Sequence, residues 1–438
     1  MRLDDYIELA RDRRAERRRL ADRKSYAILD HLKRFEERFE ARTSGDALVG
    51  TVAPSIFVGR ANYPDVSAGV LAPVGHEDDA GRFATSAAWY DEDLSLADVF
   101  RRRTALLTAS RTAGATAANV HDAWDGFLGV QREVAVADRP VAVEIDLAGS
   151  PDLALDVDDA GGVRTPTGPR APARDARLSE NPHVPRAVER VIEDDDWRAE
   201  GAMNYLYERG FDVYGINRVL SAGALGRGGN RRLVPTRWSI TAVDDCVGRF
   251  LRGRIRSNPS IDGVEVHHEA FLGNAFWVLL APGDWEYELV ECKAPGSVWN
   301  PDPAGGVRVT SDHEGREGRT AYPEETAGAY HAARLGVLEG LADRGRRAKA
   351  LVLRHVSADY WGPAGVWQVR ESVRNAVAGE GATAETFDGA VRRVTAELPV
   401  SFDRLGRAST MAAGRQAALA SFADAGGGEG DREGEGRR

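Results

Sequence analysis

Three β-prone runs, VEVHHEAFL, AFWVLLAP and WEYELVEC, follow one another between Val264 and Cys292 and are separated only by Gly273-Asn274 and by Pro282-Gly283-Asp284. Connections this short join neighbouring antiparallel strands, so the segment predicts a β-meander. A helix is expected at 323–343, a strand at 348–356, and further helices near 364–378 and 384–396. The class that follows is α+β, with a mixed or antiparallel sheet core and several flanking helices.

Upstream, residues 1–42 carry thirteen basic and ten acidic side chains. Ile28, Leu29, Leu32, Phe35 and Phe39 recur at helical spacing, which predicts a long, charged N-terminal helix over 1–45. Short β-rich runs broken by Gly and Pro fill 54–73. Helical patterning covers 95–109 and 121–136, a Val/Ile strand covers 140–147, and helices return at 185–210 and 213–222. Between Gly149 and Pro185 there is no periodicity, which marks a surface loop. After about residue 405 the sequence loses core-forming residues and ends in GGGEGDREGEGRR, so 401–438 is expected to be a disordered tail.

Charge bounds the partners. The 438 residues include 58 basic and 68 acidic side chains, a formal charge of −10. Only Lys24, Lys33, Lys293 and Lys349 are lysines, so 54 of the cations are arginine. Arginine with acidic excess fits a proteome adapted to high salt, and equally a GC-rich genome. In molar salt the Debye length falls to about 3 Å, leaving apolar and bidentate contacts to hold partners. Two cysteines, Cys246 and Cys292, exclude a disulfide scaffold or a four-cysteine zinc module. The absence of an apolar leader or an eighteen-residue apolar run predicts a cytoplasmic protein that does not span a membrane.

Against this acidic background, residues 223–256 hold eight arginines and only Asp244 and Asp245 as acids, a local excess of about six positive charges. The glycines Gly226, Gly228 and Gly229, followed by Arg231 and Arg232, could present backbone N–H groups and guanidiniums to phosphate. Arg237 continues this basic segment. Arg249, Arg252 and Arg256 stack on a helix face other than that of Ile240, Val243, Val247 and Leu251. The segment is a candidate DNA-backbone contact; the alternative is that these cations pair with the Asp-rich segments of the fold.

Two further signals carry chemistry. Gln416, Leu419 and Phe422 recur at i, i+3 and i+6, which puts an aliphatic and an aromatic on one face of a tight turn beside an amide, the pattern of a sliding-clamp-binding peptide. Ala423 supplies no second aromatic. Asp284, Glu288 and Glu291, with Lys293 two residues on, are candidate acids of a metal-dependent nuclease or nucleotide-processing enzyme. No metal ligand set is assigned: His267 and His268 face opposite sides of a strand and cannot chelate together.

The chain resembles the Nre family of archaeal DNA repair proteins. The likeness is carried by SIFVGR at 55–60 with Tyr63-Pro64, LVPTRWSITAVDD at 233–245, GDWEYE at 283–288, GSVWNP at 296–301, GAYHAARL at 328–335 and GVWQVRE at 365–371. It implies an N-terminal-type region over 46–290 and a C-terminal-type region over 291–400. It also implies a role in DNA damage repair and a C-terminal peptide that binds the sliding clamp, PCNA, here Gln416, Leu419 and Phe422. Many members begin with a cysteine-rich zinc-binding segment, but residues 1–50 lack cysteine, so no zinc is expected there. The resemblance supplies no reaction, catalytic residue or cofactor.

Overall fold

The computed structural model describes residues 43–44, 47–116, 124–152 and 168–413, together with the helical positions Glu37 and Phe39. Of the N-terminal helix expected over 1–45, Glu37 and Phe39 are helical and Thr43–Ser44 are instead strand; the rest lies outside the described residues, as does the peptide Gln416, Leu419 and Phe422.

Two sheets organise the chain. The first has seven strands in the order β1-β2-β6-β7-β5-β4-β3: β1 (Thr43–Ser44), β2 (Ala47–Val52), β3 (Ile56–Val58), β4 (Asp65–Pro73), β5 (Leu106–Gly114), β6 (Val141–Leu147) and β7 (Arg170–Leu178). Short helices α1 (Ala88–Asp91) and α2 (Leu96–Thr104) precede β5, and α3 (Gly126–Val136) precedes β6. Every neighbouring pair is antiparallel except β5 and β7. Val66, Ala68, Val70, Val143 and Ile145 alternate inward and pack on Phe127 and Val134 of α3.

Two expectations fail here. The helical pattern at 95–109 ends at Thr104, and the chain turns directly into β5. Part of the stretch expected to be a loop, 149–185, is strand β7. Its inward residues are alanines, Ala171, Ala173 and Ala176, too small to register as an apolar alternation although each is buried.

The second sheet runs β11-β10-β12-β9-β8-β13: β8 (Val264–Phe271), β9 (Asn274–Ala281), β10 (Glu286–Lys293), β11 (Arg308–Glu314), β12 (Lys349–Val356) and β13 (Ala382–Ala384). The first two strands form the expected hairpin, but its turn is Leu272-Gly273, both at positive φ, with Asn274 already in β9. A Cβ on Gly273 would sit 2.8 Å from the Tyr360 backbone nitrogen, so close approach as well as φ requires glycine. The third run does not complete a meander. β12 inserts between β9 and β10, parallel to β10 and antiparallel to β9. Its run KALVLRHV is buried on both faces and demands a central place, which the sequential reading of the three runs missed.

Helices cover both faces of this sheet: α4 (Arg186–Glu193), α5 (Ala199–Glu208), α6 (Val213–Ser221), α7 (Thr236–Ile255), α8 (Gly328–Asp343), α9 (Trp367–Ala378), α10 (Phe387–Thr395) and α11 (Phe402–Ala408). Phe276, Val278, Tyr287, Leu289 and Val352 meet α7, α8 and α9 on one face. Leu279, Val290, Cys292 and Leu353 meet α10 and α11 on the other. The 290/291 division therefore falls inside β10, and the two regions share one sheet. Order also extends further than expected: Met411 and Ala412 are buried against the sheet beyond α11. No helix among the described residues is long and apolar enough to cross a membrane.

Candidate nucleic-acid interface

Helix α7 begins where Pro235 ends an extended segment, and its buried residues Val243, Cys246, Val247, Leu251 and Ile255 fix one face inward. Backbone bonds tie its entry to the first sheet. Ala115 N–H donates to the Pro64 carbonyl at 2.7 Å, Leu233 N–H to the Ala115 carbonyl at 3.1 Å, and Val58 N–H to Thr236 Oγ1 at 2.9 Å. The loop before β4, the end of β5 and residues 232–238 are thereby held side by side. On their outer surface stand Tyr63, 38% exposed, and Trp238, 45% exposed, with ring centroids 5.3 Å apart. Arg60, Arg232 and Arg237 are exposed in the same segments. Among the described residues none of the three forms an ion pair, and Arg232 donates to the Asn230 carbonyl at 3.4 Å. One exposed acid, Asp65, follows Pro64.

The other basic candidates are engaged within the fold. Arg231 is buried and donates to the carbonyls of Gly226, Ile192 and Asp194, with Asp195 at 3.3 Å. Burial lowers its pKa. The glycine loop closes on itself and on the Asp-rich segment: Gly228 N–H donates to the Asp195 carbonyl, and Asn230 N–H to that of Arg227. Gly226 is buried at positive φ and Gly229 is exposed. Along α7, Arg249 pairs with Asp245 at 3.1 Å and Glu200 at 3.3 Å, Arg252 lies 3.9 Å from Glu314, and Arg256 lies 3.4 Å from Glu317. The basic segment thus divides into arginines engaged within the fold, Arg231 and those from Arg249 onward, and the exposed Arg232 and Arg237 at the start of α7.

Behind α7 lies a buried charge network. Arg334 of α8 donates to Asp245 at 2.6 Å and to Glu314 of β11 at 2.9 Å, while Trp285 Nε1 donates to Glu314 at 2.7 Å. Against the desolvation of its partial burial, His331 and then Arg334 hold the Asp245 carboxyl far below the ordinary range. Asp244 accepts both Nε and Nη2 of Arg370. These contacts lock the orientation of α7.

The acidic candidates do not converge. Asp284 is half-exposed between Arg316 and Arg347. Glu288 is buried and accepts from Ser409 Oγ, Thr410 N–H and Met411 N–H, each at 2.8 Å, so it anchors the turn after α11. Burial raises its pKa against those donors. Glu291, on the opposite face of β10, pairs with Arg354 at 2.6 Å and Lys293 at 3.0 Å. Lys293 also donates to Thr310. Among the described residues no group of three or more His, Cys, Asp or Glu side chains could hold a metal. His267 bonds Glu265 whereas His268 lies against Trp277, on opposite faces as expected. Both cysteines are buried, and desolvation pushes each thiol up to about 12.

Arg60, Tyr63 and Trp238 were not among the candidate site residues, although each lies in a phrase that carries the family resemblance. A signal existed for one of them: Trp238 lies about 160° around the helix from Ile240, opposite the apolar face. For Tyr63 and Arg60 only the tertiary bonds through Pro64 and Ala115 reveal the location.

Comparison with known proteins gives a consistent result. The profile described as archaeal Nre, N-terminal, matches residues 20–300, and that of archaeal Nre, C-terminal, matches residues 314–422. The chain is 65% identical to the DNA repair protein NreA of Haloferax volcanii over 97% of its length and all of the relative's. It is 35% identical to the DNA repair protein NreB of Archaeoglobus fulgidus over 86% of this chain and 92% of that one. NreA of the same organism is 36% identical over 77% and 82%. No solved structure matches the chain. With both halves matched in order and relatives covered almost end to end, the chain belongs to the archaeal Nre family.

Proposed function

We propose that this protein is a DNA repair factor whose folded body contacts DNA at the N-terminal end of α7 and whose C-terminal peptide, Gln416, Leu419 and Phe422, recruits it to the sliding clamp. The repair role rests on the names of its relatives. The DNA contact rests on one observation: Arg60, Arg232 and Arg237 are exposed and without an acidic partner among the described residues, on a protein of net charge −10, while the arginines further along α7 have acidic partners. An unneutralised basic end on an acidic surface favours a polyanion.

The clamp reading is supported by the family match, which runs through residue 422 and so includes the peptide. A peptide of modest affinity joined to a DNA-contacting body gains avidity of about a hundredfold or more when both engage together. Calorimetry of the full chain with the clamp tests the first part: Leu419→Ala with Phe422→Ala removes the binding heat, and unchanged binding rejects the motif. Charge reversal at Arg232 and Arg237 tests the second: DNA retention weakens and its salt slope flattens, whereas unchanged retention rejects the face.

A further inference from the structure

We propose that Tyr63 and Trp238 form a stacking platform for unpaired DNA bases, an inference that rests on the DNA contact proposed above and names its substrate class. Two large aromatic side chains stand exposed next to each other, where burial would be the favourable state for each. They are the only adjacent pair among the exposed large hydrophobic residues described, the others being Val49, Trp124 and Tyr322. Their planes are tilted by 54°, so neither ring covers the other face to face.

Both rings are held on firm supports. Trp238 sits in the first turn of a twenty-residue helix, its N–H bonded to the Pro235 carbonyl. Tyr63 is carried by a loop closed by the Asp65 N–H to Asn62 carbonyl bond and by the bond from Ala115 to Pro64. Asn62 takes the positive φ that this loop requires, which Asn tolerates. A platform whose backbone is fixed in advance loses little ordering entropy when a base docks.

The charge around the pair selects the partner. Arg60, Arg232 and Arg237 supply three unmatched guanidiniums in the segments that carry the rings, an arrangement suited to backbone phosphates flanking a stacked base. In a duplex the base faces are covered by their neighbours. Only a single strand or an extruded base presents a face to an aromatic ring. Stacking also persists in strong salt, where charge alone contributes little.

The test is fluorescence anisotropy of the full-length protein with a labelled oligo-dT strand and with a blunt duplex, at low and at high salt. The parent binds the single strand more tightly. Tyr63→Ala with Trp238→Ala weakens single-strand binding at least about tenfold, the scale of losing one or two stacked bases, and changes duplex binding by less than about threefold. Trp238→Phe, which keeps a ring, stays within about threefold of the parent. The inference is overturned if the double alanine variant binds the single strand as the parent does, or loses both DNAs equally. If Arg232→Glu with Arg237→Glu weakens both DNAs while the alanine variant changes neither, DNA contact stands and stacking fails. If the parent binds neither DNA but an acidic protein instead, both readings fail.

Discussion

Replacing Arg334 by Met tests how α7 is held. The guanidinium joins three elements, donating to Asp245 on α7 and Glu314 on β11 from its place on α8. Glu314 is wholly buried, and without Arg334 its remaining close donor is Trp285 Nε1, with Arg252 3.9 Å away. Removing one partner of a buried pair leaves an uncompensated charge and costs about 3–5 kcal/mol. Met keeps most of the volume, so little of that loss comes from a cavity. Urea unfolding followed by tryptophan fluorescence reads the change directly, as a lower midpoint at unchanged slope. Adding Glu314→Gln removes the stranded carboxylate and restores at least about half of the lost stability. A single-variant loss below about 1 kcal/mol, or strictly additive effects in the double variant, refutes the reasoning.

Two other outcomes follow from buried or partly buried carboxylates. Glu286 raises the pKa of His313, which it bonds at 3.2 Å, above the ordinary value near 6.5. Stability from this pair is therefore complete between pH about 4.5 and about 6.5: it is lost as pH rises through the raised His313 value, and lost again in acid as Glu286, held down at about 2, is protonated. Because the pair is partly solvated the effect stays below about 1 kcal/mol, and His313→Asn abolishes the slope in urea titrations; an unchanged slope contradicts it. Glu288→Ala leaves Ser409 and the N–H groups of Thr410 and Met411 without their acceptor. Trypsin then cleaves after Arg404 and Arg407 about tenfold faster than in the parent, since cleavage tracks the local opening equilibrium, and equal rates would deny Glu288 its anchoring role.

Much of the architecture is written in local pattern. The apolar face of α7, the β8–β9 hairpin and the apolar stretch Ala350–Leu353 of β12 are each legible, because periodicity and turn residues act over a few positions. Strand β7 is not, since alanine carries too little apolar surface to mark a buried face. The order of the second sheet is not legible either. Placing β12 between β9 and β10 depends on burial at both faces, a property of the finished fold. The site divides in the same way. The basic excess of residues 223–256 is visible in the sequence, but Glu200, Glu314 and Glu317 come from distant segments to neutralise Arg249, Arg252 and Arg256. Likewise Arg231 reads as a phosphate ligand until the carbonyls of Gly226, Ile192 and Asp194 enclose it.

The most direct measurement is hydrogen exchange on the full-length protein, alone and with gapped DNA, with and without the loaded clamp. Protection on DNA is expected in residues 58–64 and 232–241, and protection on the clamp is expected in residues 416–422. DNA-dependent protection confined to other surfaces, with residues 58–64 and 232–241 exchanging as in the free protein, would contradict the assignment of the N-terminal end of α7 as the DNA-contacting face.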